Sequence, residues 1–278
     1  MAKRKAVVRG NILSNNGMSL FIPAHLDDIH VGNWSDIDIY AQDTGQMFPL
    51  ATKLEFADGR LFRYGRFGAT STAAPAARLL YNHNYVPGSA ATDGYEGTLD
   101  STSNYAVGST TLIMNDTTDR AENWYEDGML AVYPTGHYVE YRILGNDVAT
   151  SVDDVTIYLE DGLASALAVA STAVTAYPSI FKNMRNDSGS TYNGYVSAVG
   201  MFLGPTMTST YYGWVQRRGR CIITPTAYFG DSANERMAQM HSDGTTAVKA
   251  ADGTHTIGYL TQRTVSGYGD LEVWLQLE

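Results

Sequence analysis

Apolar and polar residues alternate with period two along much of this chain. In LEVWLQLE, Leu271, Val273, Leu275 and Leu277 fall on one face, and Glu272, Trp274, Gln276 and Glu278 on the other. Successive side chains of a strand point to opposite faces, so this pattern predicts a half-buried β-strand. VTIYLE repeats it with Val155, Ile157 and Leu159 inward, and SDIDIY with Ile37 and Ile39. KAVVRG, RLFRYGRF, STTLIM, MLAVYP, YVEYRIL, GYVSAVGMFL, YYGWVQ, CIITP and GTHTIGYLT are further β-rich runs. Asp-Gly pairs at 58–59, 127–128, 161–162, 243–244 and 252–253 punctuate them. Such pairs suit positive φ and are the usual short-range hairpin signal.

Helical patterning is scarce. DSANERMAQMH has capping-box spacing at Ser232 and Glu235, but the hairpin signals around ERMAQMH favour a strand turning at Asp243-Gly244 into TAVKA. LASALAVASTAV fits either state. Loop-like borders divide the chain into 1–94, 95–181 and 182–278. The first and last regions read as one β domain, with an N-terminal arm, and the middle one as a β module inserted into it.

Composition adds limits more than chemistry. A chain of 278 residues can bury a core without disulfides or metals. With 44% apolar and 17% charged residues, it is not intrinsically disordered. Nineteen Lys and Arg against 29 Asp and Glu give a formal charge of −10. That balance argues against a nucleic-acid partner, which calls for a cationic face. No run approaches the ~20 apolar residues that span a bilayer, so no membrane partner is expected. MAKRKAVVRG has basic residues but no apolar stretch behind them, and does not read as a secretory signal. The single Cys221, in CIIT, reads as a buried thiol of a protein made in a reducing cytoplasm.

Candidate chemistry is thin. Asp43-Thr44-Gly45 spells half of an aspartic-protease dyad, but no second copy exists and Gln42 and Gln46 flank it, so a polar turn is expected. In AHLDDIH, His25 and His30 stand five apart around Asp27 and Asp28, a spacing that suits neither a helix face nor strand alternation. His83, His137, His241 and His255 have no partner fixed by spacing. No nucleophile elbow, P-loop, dinucleotide fingerprint or calcium loop is present. The expectation is a non-enzymatic protein with no catalytic residue, cofactor or metal. More telling are Tyr211, Tyr212 and Trp214 beside Arg217, Arg218 and Arg220, the residue types enriched at interface hot spots. They either form a contact surface or pack in a sheet core. Lys3, Arg4, Lys5 and Arg9 form a basic opening on an acidic chain, either a solvated terminus or an arm that docks on an acidic partner.

DGRLFRYGRFGAT followed by RLLYNHN resembles the early part of virion structural proteins of tailed bacteriophages, with Arg63-Tyr64 in the strand. TTLIMND, YEDGMLAVYPTG, YRILGND, VTIYLEDGL and AVTAYP continue the likeness. So do the Gly-Trp-Val-Gln strand, here Gly213 to Gln216, and the closing IGYLTQRTVSGYGDLEVWLQL, which is similar to the strand pair of capsid-cement domains. GRCIIT departs from the family pattern at Arg220 and Cys221. The resemblance implies a capsid decoration, or cement, protein, made in the host cytoplasm and bound to the capsid exterior. Its partners would be the major capsid protein and itself, as a trimer or, next, a dimer. A tail or fibre component and a carbohydrate-binding β module are the alternatives. The expected fold is mainly β: a sheet or barrel (β-tulip-like) domain from both chain ends with a small inserted β-barrel-like module. The candidate interface comprises Lys3, Arg4, Lys5, Arg9, Tyr211, Trp214, Arg217 and Arg218.

Overall fold

The computed structural model describes residues 11–15, 17–22, 37–68, 78–82, 94–100, 104–133, 138–150, 154–169, 172–186, 197–225, 236–240, 244–248, 256–262 and 271–278. Lys3, Arg4, Lys5, Arg9, KAVVRG, AHLDDIH and all six histidines lie outside those residues. Among the described residues there are strands and turns and no helix.

The first region supplies β1 (Asn11–Asn15), β2 (Met18–Ile22), β3 (Gln42–Asp43), β4 (Lys53–Phe56), β5 (Leu61–Arg66) and β6 (Arg78–Asn82). The middle supplies β7 (Tyr95–Thr98), β8 (Thr111–Met114), β9 (Met129–Tyr133), β10 (Val139–Asn146), β11 (Val155–Leu159) and β12 (Ala173–Tyr177). The last supplies β13 (Met184–Arg185), β14 (Ala198–Phe202), β15 (Tyr212–Ile223), β16 (Met237–Met240), β17 (Thr246–Val248), β18 (Thr256–Gln262) and β19 (Leu271–Gln276). The first and last sets interleave in one thirteen-stranded sheet, whose longest path runs β1-β2-β4-β5-β15-β19-β18-β16-β17. The middle set makes a separate six-stranded sheet, β7-β12-β9-β10-β11-β8. All its ladders are antiparallel.

The smaller sheet closes on itself. Leu99 bridges Met114, the Asp100 amide donates to the Ile113 carbonyl, and the Asn115 amide donates to the Thr98 carbonyl. The two edges, β7 and β8, thereby meet, and closure removes unpaired strand edges. The wall turns a corner at β10, which pairs with β9 through Val139–Arg142 and with β11 from Ile143 onward. Leu112, Leu130, Val132, Tyr141, Ile143, Val155, Ile157, Val174 and Ala176 fill the interior, which is a core of its own.

In the larger sheet β15 is the spine. YYGWVQ and CIITP, which read as two runs, form one twelve-residue strand pairing with β5 over its first half and β19 over its second. Its ladder with β5 shifts register between Gln216 and Arg218, and Gly219 beside that bulge takes φ 94, a conformation that favours glycine. Trp214, Val215, and Cys221 with Ile223 enter three different core clusters of the body. Cys221 is buried as expected, and burial pushes its thiol pKa up.

Alternation holds where it was clearest. Leu271, Val273 and Leu275 are buried in β19, and Val155, Ile157 and Leu159 in β11. ERMAQMH contributes a strand, β16, paired with β17 and β18. In LASALAVASTAV, the described residues 163–169 run through bends and a bridge at Leu167, and β12 begins at Ala173. The described part of SDIDIY corrects the reading: Ile37 and Ile39 pack on the Trp214 cluster but lie in no strand, Ile39 being in a turn. Asp58-Gly59 makes the β4–β5 hairpin with φ 86 at Gly59.

Candidate interaction surfaces

The aromatic-basic segment of β15 was one candidate surface, and the fold turns much of it inward. Trp214 is only 2% exposed. It packs on Phe48 and Tyr64 with ring centroids 5.2 and 5.1 Å apart, so it is a core residue and not a contact residue. Arg217 is also corrected. Its Nη1 donates to the Val199 carbonyl at 2.7 Å and its Nη2 to the Leu277 carbonyl at 2.8 Å. Its Nε lies 3.0 Å from Glu278 Oε2, and the guanidinium sits 5.3 Å from the centroid of the Phe181 ring. Arg217 is a clamp on the C-terminal strand.

Arg218 is more accessible, yet its Nη2 donates to Glu55 Oε1 at 2.6 Å, and Lys53 and Arg218 hold the Glu55 carboxyl below its ordinary range. Tyr211 is half-buried against the cluster around Phe67. Arg220, largely exposed, pairs with Glu272. Asp43-Thr44-Gly45 is a polar element: Asp43 Oδ2 accepts from the Tyr64 hydroxyl at 2.8 Å. Among the described residues no group of three or more His, Cys, Asp or Glu is placed to hold a metal.

A buried polar plug, unforeseen in the sequence, sits in the barrel. Arg120 Nε donates to Asp116 Oδ2 at 2.7 Å, with both side chains almost fully buried. The Tyr125 hydroxyl donates to the same carboxylate oxygen at 2.9 Å, and Arg120 Nη2 to the Gly94 carbonyl at 3.1 Å. Arg120 also exchanges both backbone hydrogen bonds with Ala149. The plug ties the chain entering β7 to the turn before β9.

The barrel meets the body around Asp127. Its Oδ2 accepts from the Leu50 amide at 2.8 Å and its Oδ1 from Arg142 Nη2 at 2.5 Å. A Cβ on Gly128 would lie 2.1 Å from the Tyr177 carbonyl oxygen, which explains the glycine. Lys182 from the body donates its Nζ to the Asn123 carbonyl and lies 5.7 Å from the centre of the Trp124 ring. Burial pushes its pKa down to about 8, and burial raises that of the neighbouring Glu126. A groove of about 410 Å³ opens here, lined by Asp127, Met129, Glu140, Tyr177, Ile180 and Phe181 among others.

The outer barrel wall continues from that groove. Leu130 and Val132 of β9 and Val174 and Ala176 of β12 face the core, so Met129, Ala131, Tyr133, Thr175 and Tyr177 face outward. Met129, Tyr138 and Tyr177 are well exposed, Tyr138 at 77%. Period two in MLAVYP and AVTAYP carried the signal for these positions. Comparison with family models, with curated proteins and with solved structures finds no match for this chain.

Proposed function

We propose that this is a non-enzymatic structural protein of a tailed-phage virion that decorates the capsid exterior and ties neighbouring capsomers together. The observation that supports this reading most is where the resembling segments sit. RLFRYGRF forms β5, the TTLIM to AVTAYP series forms barrel strands, GWVQ lies in β15 and LEVWLQL forms β19. The motifs behind the resemblance are therefore the framework strands of both modules.

The body offers a route to a shell. Among the described residues, β1 at one end of the sheet pairs only with β2, whereas β17 at the other end also meets the chain leaving β15 through the bridge of Thr246 to Pro225. A free strand edge can take up another chain by main-chain hydrogen bonding. β1 directly follows the basic opening with Lys3, Arg4, Lys5 and Arg9, so an acidic shell groove could capture the arm beside that edge. Binding is passive: surface buried between subunits and capsomers resists their separation. Closed cyclic oligomers suit shell symmetry positions, with a trimer first and a dimer next.

Co-sedimentation of the full chain with empty capsids of the encoding phage tests this. Stoichiometric binding is expected. Deleting residues 1–9 is expected to weaken it most at low salt, since exposed charges are screened beyond ~8 Å at physiological salt. A cryo-electron map placing the chain in the tail, or no capsid binding at any salt, overturns the proposal.

A further inference from the structure

The outer wall of the barrel carries an exposed row of tyrosines that the capsid attachment proposed above does not invoke. Tyr133 of β9 and Tyr138 beside β10 meet edge to face, with ring centroids 4.8 Å apart and planes at 90°. Tyr177 of β12 pairs in register with Met129 at the other end of β9. Its hydroxyl interacts with those of Tyr133 and Thr175, so the ring leans along the wall toward Tyr133. Thr175 faces outward yet is buried, which places it beneath the tyrosines. Four residues of strand separate Met129 from Tyr133, or ~13 Å at the usual rise. The result is a strip of three tyrosines running into the junction groove.

Two exposed carboxylates, Glu96 and Glu140, flank this strip. Glu96 pairs with Thr175 across β7 and β12, and Glu140 with Ala131 across β9 and β10. Neither has a hydrogen bond or an ion pair in the described structure. Covering them with a protein surface would strand two charges unless cations met both. Hydroxyl groups, by contrast, donate to carboxylates without bringing charge. Tyrosine rings offer flat, weakly negative faces with polar tips, which suit the C–H faces of a pyranose. The acidic flanks and the net charge of −10 repel sulfated, sialylated or uronic-acid chains.

We infer that the Tyr133–Tyr138–Tyr177 strip is a binding platform for neutral oligosaccharides, with Glu96 and Glu140 accepting sugar hydroxyls. The strip's length suits a short oligosaccharide better than one sugar. The junction groove beside Tyr177, at a boundary between modules, is where such sites commonly lie.

Titration of the full chain with cellohexaose, maltohexaose and chitohexaose, followed by calorimetry and tyrosine fluorescence, tests the inference. At least one is expected to bind, with affinity nearly independent of salt. Tyr177→Ala and Tyr138→Ala should each lower that affinity at least tenfold at unchanged melting temperature. Glu140→Gln should lower it several-fold, and Tyr259→Ala, on the body, should leave it unchanged. Absence of binding to all three, or binding indifferent to Tyr177→Ala and Tyr138→Ala, overturns the platform. So does loss of capsid co-sedimentation in these variants without any loss of sugar binding, which would mark the strip as a protein contact. Arm deletion leaves sugar binding intact on this reading, so failure of the platform and failure of capsid decoration are read separately.

Discussion

The barrel and the body treat the edges of their β-sheets differently. The barrel joins β7 to β8 and has one core filled from six strands. The body leaves β1 with an open edge, curls β17 back onto the chain leaving β15 through the Thr246–Pro225 bridge, and spreads its apolar residues over three clusters joined by β15. The most buried ion pair lies in the barrel, while Arg217 with Glu278 in the body and Arg142 with Glu160 in the barrel are both partly buried. In the barrel the principal ion pair, Arg120 with Asp116, is buried and further hydrogen-bonded by Tyr125. In the body the pairs of Arg218 with Glu55 and Arg220 with Glu272 lie near water. Full closure makes one compact unit sensitive to a single internal defect, while the larger sheet distributes its dependence over many strands.

The sharpest test of this contrast separates the two parts. A fragment of residues 95–181 has the closed core and the Asp116–Arg120–Tyr125 part of the plug, without the Gly94 carbonyl, and is expected to be soluble and to melt cooperatively. An unfolded fragment would show that the Asp127 and Lys182 contacts are indispensable to it.

Within the whole chain, Arg120→Ala leaves Asp116 buried without its cation and is expected to cost about 3–5 kcal/mol in urea unfolding. Replacing both partners, with Asp116→Leu and Arg120→Met, should recover much of that loss. Trp214→Ala probes the body core and is expected to cost about 3–5 kcal/mol, whereas a surface residue would cost under ~0.5 kcal/mol. A loss near zero would restore Trp214 to the contact surface.

Gly128→Ala acts on the seam. The added methyl meets the Tyr177 carbonyl, so the seam must shift, at about 1–3 kcal/mol. Lys182→Met acts on the pH profile. Since burial depresses the Lys182 pKa to about 8, the unfolded chain holds more protons between there and the ordinary lysine value. Its contribution therefore makes stability rise with pH across that window. The variant should flatten the rise between pH 8 and 10, as read from urea midpoints at several pH values. The smallest effect belongs to Arg218→Ala, at about 0–1 kcal/mol for an exposed pair.

The sequence revealed strands more readily than their roles. Alternation located β11 and β19 because each has one buried and one solvated face. SDIDIY misled because Ile37 and Ile39 reach the core from outside any strand, where two alternating isoleucines look the same as in one. Trp214 and Arg217 misled for a different reason: hot-spot residue types are also good core residues. Nothing local marks Arg217 as the clamp on Val199 and Leu277, because those partners are 18 and 60 residues away. The plug was equally hidden, since Asp116 and Arg120 look like ordinary turn residues until barrel closure buries them. The tyrosine strip was half legible, its spacing visible in two separate runs and their adjacency only in the β9–β12 ladder.

The barrel's points of entry and exit are themselves neighbours. Tyr95, where the chain enters β7, is the cross-strand partner of Ala176, where it is about to leave β12. Across an antiparallel ladder such partners stand only ~4.5–5.5 Å apart. To the body the whole insertion therefore resembles one hairpin turn: a lineage could gain, lose or exchange it without moving the strands on either side. A laboratory graft could use the same doorway, setting a foreign domain with adjoining ends in its place.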